Sequence, residues 1–353
     1  MWAGKGEDVA EGHTAQRLGD GLPYPLTHIP VSDLREGQSV TQCFLVRRKT
    51  QRSTRTGEPY LELILADRSG SVPARAWAEA TQRFASAFAE GDFVYVEGRT
   101  ETYRNALQVI VRSIRRLDLH QAEAGAVPGF DLALLVPTTE CDVEAMWREL
   151  VEIAESISSE PLRRLTLTLL LERTEEWKTF PAALFHHHAY VGGLLEHTLE
   201  VAKAALWVAG ANDALDRDLM LAGAILHDVG KLCEMENPVS PRFTLEGQLA
   251  GHLLLGRDLV RETAEGIDTL DERTQRILEH IIISHHGEPE YGAARRPMTL
   301  ESIALYFLDN LSAKLNAAVL RIRRDSREGD FTDWQQEPPG GSRLFKGGRA
   351  GDA

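Results

Sequence analysis

Two regimes of hydrophobic spacing divide the chain. From about residue 30 to 117, apolar residues alternate with polar ones or gather in β-branched runs: SVTQCFLVRRKTQ, PYLELILADRSGSVPARAW, FVYVEGRTETY and ALQVIVRSIRRL. Such runs predict five short strands of about five residues each. DRSG (residues 67–70) reads as a tight turn between two of them, and EGD (90–92) precedes another. A helical stretch over residues 76–89 interrupts the strand pattern. From about Asp142 the spacing changes to threes and fours, which predicts amphipathic helices. VEAMWRELVEIAESI and PLRRLTLTLLLERT belong to this regime and extend a helical core without carrying chemistry. Residues 118–139 mix Gly, Pro and Ala with a short apolar patch, as expected of a connector that partly docks. The chain after residue 325, rich in Gly, Pro and charge, shows no period and is expected to be a disordered tail.

Three strands, a helix, then two strands is the order of a five-stranded OB-fold β-barrel. The expected architecture is therefore multidomain, α and β: an N-terminal barrel followed by an all-α helical bundle. The layout is a disordered lead over 1–27, the barrel over 28–118, a linker over 119–140, the bundle over 141–325 and the tail over 326–353. At 353 residues and 43% hydrophobic content, the chain can bury two ordinary cores. No apolar run is long enough to cross a bilayer, and the first residues lack a signal-peptide core, so cytoplasmic residence is expected. Cys43, Cys141 and Cys233 are odd in number and far apart, implying no disulfide framework. No solenoid repeat is present.

Charge is divided unevenly. Residues 28–118 carry 14 Lys and Arg against 11 Asp and Glu, a balance of +3, whereas the whole chain stands at −14, leaving −17 elsewhere. Within the barrel the basic residues cluster at Arg47, Arg48, Lys49, Arg52 and Arg55, as phosphate attraction requires, although a solvated loop would look similar. Phe44, Tyr60, Trp77 and Tyr103 interleave with them, and bases stack on such rings. Phe44 and Trp77 are expected to fill the barrel. Arg47, Lys49, Tyr60, Tyr103 and Arg104 are the candidates for contact with a single strand. The run GEPYLELILADRSG (57–70) resembles nucleic-acid-binding OB domains.

The second half holds an ordered series of metal-binding side chains: His197 in GGLLEHTLEVA, His227-Asp228 in LAGAILHDVGK, His252 in QLAGHLLLG, His285-His286 in IIISHHGE and Asp309 in IALYFLDNLSAKL. The His-Asp pair follows an apolar helical run and precedes Gly230, so it is expected near a helix end. Imidazole with carboxylate suits Mn²⁺, Fe²⁺, Co²⁺, Ni²⁺, Mg²⁺ or Zn²⁺, and an Asp has two oxygens with which to bridge two cations. Helices of a bundle can bring such residues together whatever their separation in sequence.

This series resembles the HD-domain superfamily of metal-dependent phosphohydrolases over roughly residues 180–325. By that resemblance His197, His227, Asp228 and Asp309 hold one divalent ion, and Asp228 bridges to a second held by His252, His285 and His286. Two cations about 3.5–4 Å apart lower the pKa of water and neutralise charge on a phosphoryl group, so phosphoester hydrolysis is implied. Lys231, one turn past His227, can meet a phosphate oxygen, or it is a helix-terminal lysine stabilised by the dipole. The triplet His186-His187-His188 is expected to open the helix bearing His197. His188 is taken as the member that reaches the site, on resemblance alone. Gly192 and Gly193 are expected where a backbone or a substrate comes close.

An OB barrel followed by an HD domain resembles the YhaM family of bacterial 3′→5′ exoribonucleases over about residues 28–325, with residues 283–314 especially similar. The resemblance implies a single strand of RNA, or of DNA, held by the barrel and shortened at its 3′ end to nucleoside 5′-monophosphates. It also implies Mn²⁺ as the usual ion and allows a homo-oligomer. Catalytic roles fall to Asp228, Lys231 and His188, and the proton for the leaving oxygen can come from Lys231 or from a histidine of the 186–188 cluster. Two other functions stand beside it. One is a nucleotide or cyclic-dinucleotide phosphohydrolase with a regulatory barrel, the cyclic form disfavoured because no GYP follows His285-His286-Gly287. The other is a non-catalytic nucleic-acid-binding protein.

Overall fold

The computed structural model describes residues 27–104, 106–118, 122, 127, 130–184, 188–325, 327–334 and 341–347. It separates into two compact units meeting in sequence at Val136 and Pro137. His186, His187 and the lead over residues 1–26 lie outside the described residues.

The first unit is a closed barrel of β1 (Ser39–Ser53), β2 (Pro59–Asp67), β3 (Gly70–Ala76), β4 (Phe93–Tyr103) and β5 (Ala106–Arg116), in the spatial order β1-β2-β3-β5-β4. Strands are longer than the predicted five residues because hairpin pairing runs past the buried stretch, as in Ser53↔Pro59 and Tyr103↔Ala106. Barrel closure comes from a short parallel contact of β3 with β5 and the antiparallel pairing of β1 with β4. Alternation turns Phe44, Val46, Leu61, Leu63, Leu65, Val94 and Val96 inward. A helix, α1 (Ala78–Phe84), lies between β3 and β4; Thr81 ties it down, its hydroxyl donating to the Ala76 carbonyl and accepting the Leu61 N–H. The predicted turn at DRSG is made by buried Asp67, whose Oδ1 accepts from Ser69 N and Gly70 N and whose Oδ2 accepts from Val31 N. Burial alone would raise the Asp67 pKa, but these bonds and His28 hold it low.

The connector docks more than expected. Phe130 packs edge-on against Phe93, and α2 (Leu132–Leu135) buries Leu135, so the chain stays with the barrel as far as Val136 rather than leaving it at residue 118.

The second unit is helical: α3 (Val143–Glu155), α4 (Glu160–Leu171), α5 (Thr174–Thr179), α6 (Gly193–Ala211), α7 (Arg217–Leu226), α8 (Lys231–Glu234), α9 (Leu245–Ala250), α10 (His252–Ala264), α11 (Glu272–Ser284) and α12 (Leu300–Arg324). Five of these ten starts are capped by a side chain, from Asp142, Asp216, Thr244, Asp271 and Thr299. A single core gathers Leu150, Leu165, Trp177, Leu194, Ile225, Leu226, Ile281 and Leu305. Thus α3 to α5 are core helices, as their pattern predicts. A two-stranded ribbon, β6 (Met235–Glu236) with β7 (Arg242–Phe243), joins α8 to α9. Part of the tail expected to be disordered is instead folded back: Phe331 bridges to Phe345, and Asp325 pairs with Arg327 and Lys346. None of the described helices is long and apolar enough to cross a membrane.

Candidate metal centre

Four helix ends and the middle of α12 converge on one buried point. His227 is the residue that ends α7, and its ring turns back so that Nδ1–H donates to the Ala224 carbonyl at 2.8 Å, one of the carbonyls a helix end leaves unsatisfied. His285 ends α11 in the same manner, donating to the Ile282 carbonyl at 2.7 Å. His252 opens α10, and His197 lies in the first turns of α6. Asp309 comes from α12, 3.2 Å from His197 Nε2. All seven residues singled out from the sequence are brought together.

Close backbone approach makes this possible. A Cβ on Gly230 would lie 2.0 Å from the His252 carbonyl oxygen, so only glycine lets α10 reach the His-Asp pair. Gly230 is the predicted helix stop, and α7 ends ahead of it at Leu226; what the glycine also provides is proximity. Gly192 is left-handed at φ 81°, and a Cβ on Gly193 would meet the His188 carbonyl at 2.1 Å.

Every histidine of the set points Nε2 inward, because its Nδ1–H is engaged outside. His286 donates to the Tyr291 carbonyl at 2.9 Å, His252 to Glu234 at 3.0 Å, and His197 meets the Ser312 hydroxyl at 3.0 Å. Inside, His197 Nε2 faces His227 Nε2 at 3.1 Å and His252 Nε2 faces His286 Nε2 at 3.2 Å. Asp228 divides its oxygens between the two groups. Oδ2 lies 3.5 and 3.4 Å from the Nε2 atoms of His197 and His227; Oδ1 lies 3.7 Å from those of His252 and His285.

Lone pairs facing one another in a buried space repel unless something positive stands between them. Asp228 Oδ1 and His285 Nε2 are moreover buried with no hydrogen-bond partner among the described residues. Three of the four sets of ligand atoms that lie within 4.8 Å of one another among the described residues fall at this centre: His197, His227 and Asp309; His252, His285 and His286; and His227, Asp228 and His285. A donor set of imidazoles and carboxylates, with orphaned atoms aimed inward, fits divalent cations.

Electrostatics agree. Burial lowers the pKa of His197 and His285, and burial reinforced by the neighbouring His285 and His252 takes His286 down to about 3. These rings are thus held neutral, as ligands must be. Burial pulls His227 down too, but the Asp228 carboxylate outweighs it and leaves His227 raised. Burial would raise Asp228, yet the Lys231 ammonium and His227 hold it well below the carboxylate range. Lys231, itself buried, donates to Asp228 Oδ2 at 2.6 Å.

Other expectations fare differently. His188 does not open the helix: it precedes α6 in a left-handed turn at φ 48°, and its Nε2 lies 3.5 Å from Glu200, behind His197. The glycine pair that follows breaks the helical path, so spacing along a helix was a poor guide to this ring. In the barrel, Arg47 sits exposed at a bulge in β1, between Val46 and Arg48. Lys49 turns inward instead, its ammonium donating to the Ala85 carbonyl at 2.6 Å and to the Phe88 carbonyl, and lying 4.1 Å over the Phe88 ring. Those carbonyls follow α1 and occupy the charge that a phosphate would need. Phe44 is buried as expected, but Trp77 is not a filler. It is 44% exposed, its ring 5.5 Å from that of Tyr60. Tyr103 is similarly exposed and lies beneath two guanidiniums, Arg75 at 5.0 Å and Arg104 at 5.3 Å. The sequence reading missed Trp77 and Arg75 as surface candidates. Their signal was the strand phase: Arg75 pairs across from Glu62, between the inward residues Ala74 and Ala76.

Comparison with known proteins places both units. A family model described as the HD domain matches residues 194–314, and one described as an OB-fold nucleic acid binding domain matches 44–117. A third, described as a putative helicase, matches 141–218. The 3'-5' exoribonuclease YhaM of Geobacillus sp. (strain WCH70) is 32% identical over 297 residues, covering 84% of this chain and 89% of that protein. The chain belongs to the YhaM family. The YhaM of Bacillus subtilis (strain 168) is also 32% identical, covering 84% of this chain and 91% of that one, and the YhaM of Listeria monocytogenes is 30% identical over 85% and 93%. Among solved structures, the second OB-fold domain of replication protein A from Methanococcus maripaludis is 22% identical, with a TM-score of 0.22, covering 26% of this chain and 96% of that one.

Proposed function

We propose that this protein is a metal-dependent 3′→5′ exoribonuclease, in which the barrel retains single-stranded RNA and the HD unit hydrolyses its 3′-terminal phosphodiester. The observation that carries the reading is the division of Asp228, one oxygen toward His197 and His227, the other toward His252 and His285. A carboxylate so shared suits a two-ion site, His197, His227, Asp228 and Asp309 holding one ion and Asp228, His252, His285 and His286 the other. Divalent ions bound there would lower the pKa of water and offset charge on the phosphoryl group. Mn²⁺ is the ion proposed.

The chain's own residues supply the rest. Asp228 stays ionised because Lys231 and His227 hold its pKa down, so it keeps both oxygens available for ligation. Lys231, its ammonium 2.6 Å from Asp228 Oδ2, is the residue we assign to meet a phosphate oxygen and to protonate the leaving 3′-oxygen. Water adds to phosphorus as the bond to O3′ breaks, O3′ takes a proton from the Lys231 ammonium, the proton lost by the water restores that ammonium, and a nucleoside 5′-monophosphate leaves. We assign the acid role to Lys231 rather than His188, whose Nε2 lies 3.5 Å from Glu200 and whose ring centroid lies 5.2 Å from that of His197. On the barrel, Tyr60, Trp77 and Tyr103 offer ring faces to bases, and Arg75 and Arg104 offer charge to phosphates.

The test uses 5′-labelled single-stranded RNA and DNA of equal length, with Mn²⁺, with chelator, and with Asp228→Ala. The expected outcome is a ladder that shortens RNA from its 3′ end, abolished by chelator and by the substitution. Intact strands alongside turnover of a mononucleotide would overturn the reading in favour of nucleotide phosphohydrolysis.

A further inference from the structure

The five inward histidines are fixed by what their Nδ1–H groups meet, and the five are not alike. His227, His285 and His286 rest on main-chain carbonyls, which no side-chain substitution removes. His252 rests on a carboxylate: Glu234 Oε1 accepts both its ring Nδ1–H and its main-chain N–H, each at 3.0 Å. Glu234 is in turn pinned by Thr244, whose N–H donates to its carbonyl at 2.9 Å. His197 rests on a relay. Its Nδ1 lies 3.0 Å from Ser312 Oγ, and Ser312 Oγ lies 2.6 Å from Glu200 Oε2. An ionised carboxylate only accepts, so the serine proton must point to Glu200, and the serine oxygen must accept the proton on His197 Nδ1. That leaves the Nε2 lone pair of His197 facing the centre. Remove the relay, and the ring is free to carry its proton on Nε2, where it would oppose a cation.

Each carboxylate-backed histidine belongs to a different half of the centre, His197 to the group with His227 and Asp309, His252 to the group with His285 and His286. We propose that Glu234 and the Ser312–Glu200 pair are positioning residues, each holding one histidine in its ligating tautomer, so that the two halves take up their ions with affinities set by separate residues outside the ligand set. This rests on reading the centre as a two-ion site.

Mn²⁺ content and the two dissociation constants are measured by calorimetry and chelator competition on the full chain, for wild type, Ser312→Ala, Ser312→Thr, Glu200→Gln, Glu234→Ala and the double variant Ser312→Ala/Glu234→Ala. Loss of such an outer partner typically weakens metal binding about 10–100-fold. We expect that loss at one ion in Ser312→Ala and at the other in Glu234→Ala, both losses in the double variant, and recovery in Ser312→Thr, which keeps the hydroxyl. Glu200→Gln, more remote from the packed core, should weaken the same ion as Ser312→Ala even where the latter folds poorly, as followed by thermal melting. Wild-type affinity at both ions in Ser312→Ala and Glu234→Ala overturns the proposal. So does simultaneous loss of both ions in each single variant, or failure of Ser312→Thr to recover binding. A wild-type chain that binds fewer than two ions instead overturns the two-ion reading on which the proposal stands.

Discussion

The chemistry of this protein is concentrated in side chains that would be unstable neighbours if all were charged. Their pKa directions give a sign to the pH dependence of stability. In an unfolded chain, an imidazole takes up a proton as the pH falls through 6.5, whereas His286 in the fold does not until about 3. Over that interval the unfolded state binds more protons, so stability falls as the pH falls. His197 and His285, also lowered, add to this, and His227, raised, opposes it. Each full unit is worth about 1.4 kcal/mol per group. Chelated protein is therefore expected to be less stable at pH 5.5 than at pH 7.5 by roughly 1–3 kcal/mol, as read from urea melts at the two values. Equal midpoints would show that these rings are not neutral in the fold.

At the scale of elements, the centre depends on where helices stop and how closely they pass. Gly230→Ala places a methyl 2.0 Å from the His252 carbonyl and 2.5 Å from Gly256 N, both backbone atoms that cannot swing aside. Overpacking of this kind costs about 1–3 kcal/mol; α10 should shift, carrying His252 with it. Lower melting temperature together with weaker Mn²⁺ retention is the expected outcome, and unchanged retention would show that α10 is not held by this contact. The ordered series of ligands, the strand-helix-strand order and the onset of helices at about Asp142 were legible in the sequence, because each rests on local chemistry or on a spacing. What was not legible rests on contacts across the fold. Lys49 reads as a phosphate ligand until the carbonyls after α1 claim it, and Trp77 reads as a filler until β3 pairs with β2 and turns it out. Ser312 and Glu200 carry no motif and become visible only once α6 and α12 lie side by side.

At the scale of the whole molecule, retention of the strand and its hydrolysis are assigned to units with separate hydrophobic cores. The two should be separable by substitution. Trp77→Ala with Tyr103→Ala is expected to weaken retention of single-stranded RNA about 10-fold or more, given about 1–3 kcal/mol per stacked base, while hydrolysis of a small phosphodiester reporter stays unchanged. Loss of reporter hydrolysis would place those rings in the catalytic unit's stability instead. The uneven distribution of charge has a further consequence. With +3 on residues 28–118 but 19 Lys and Arg against 30 Asp and Glu on residues 141–325, a balance of −11, the catalytic part of the chain repels the polyanion that it is proposed to cut. Cations loaded at its centre would supply local countercharge as well as chemistry. Metal starvation should then slow the approach of an RNA end, not merely its cleavage, so that a cell short of the ion would leave transcripts loosely held and uncut rather than trapped on an idle enzyme.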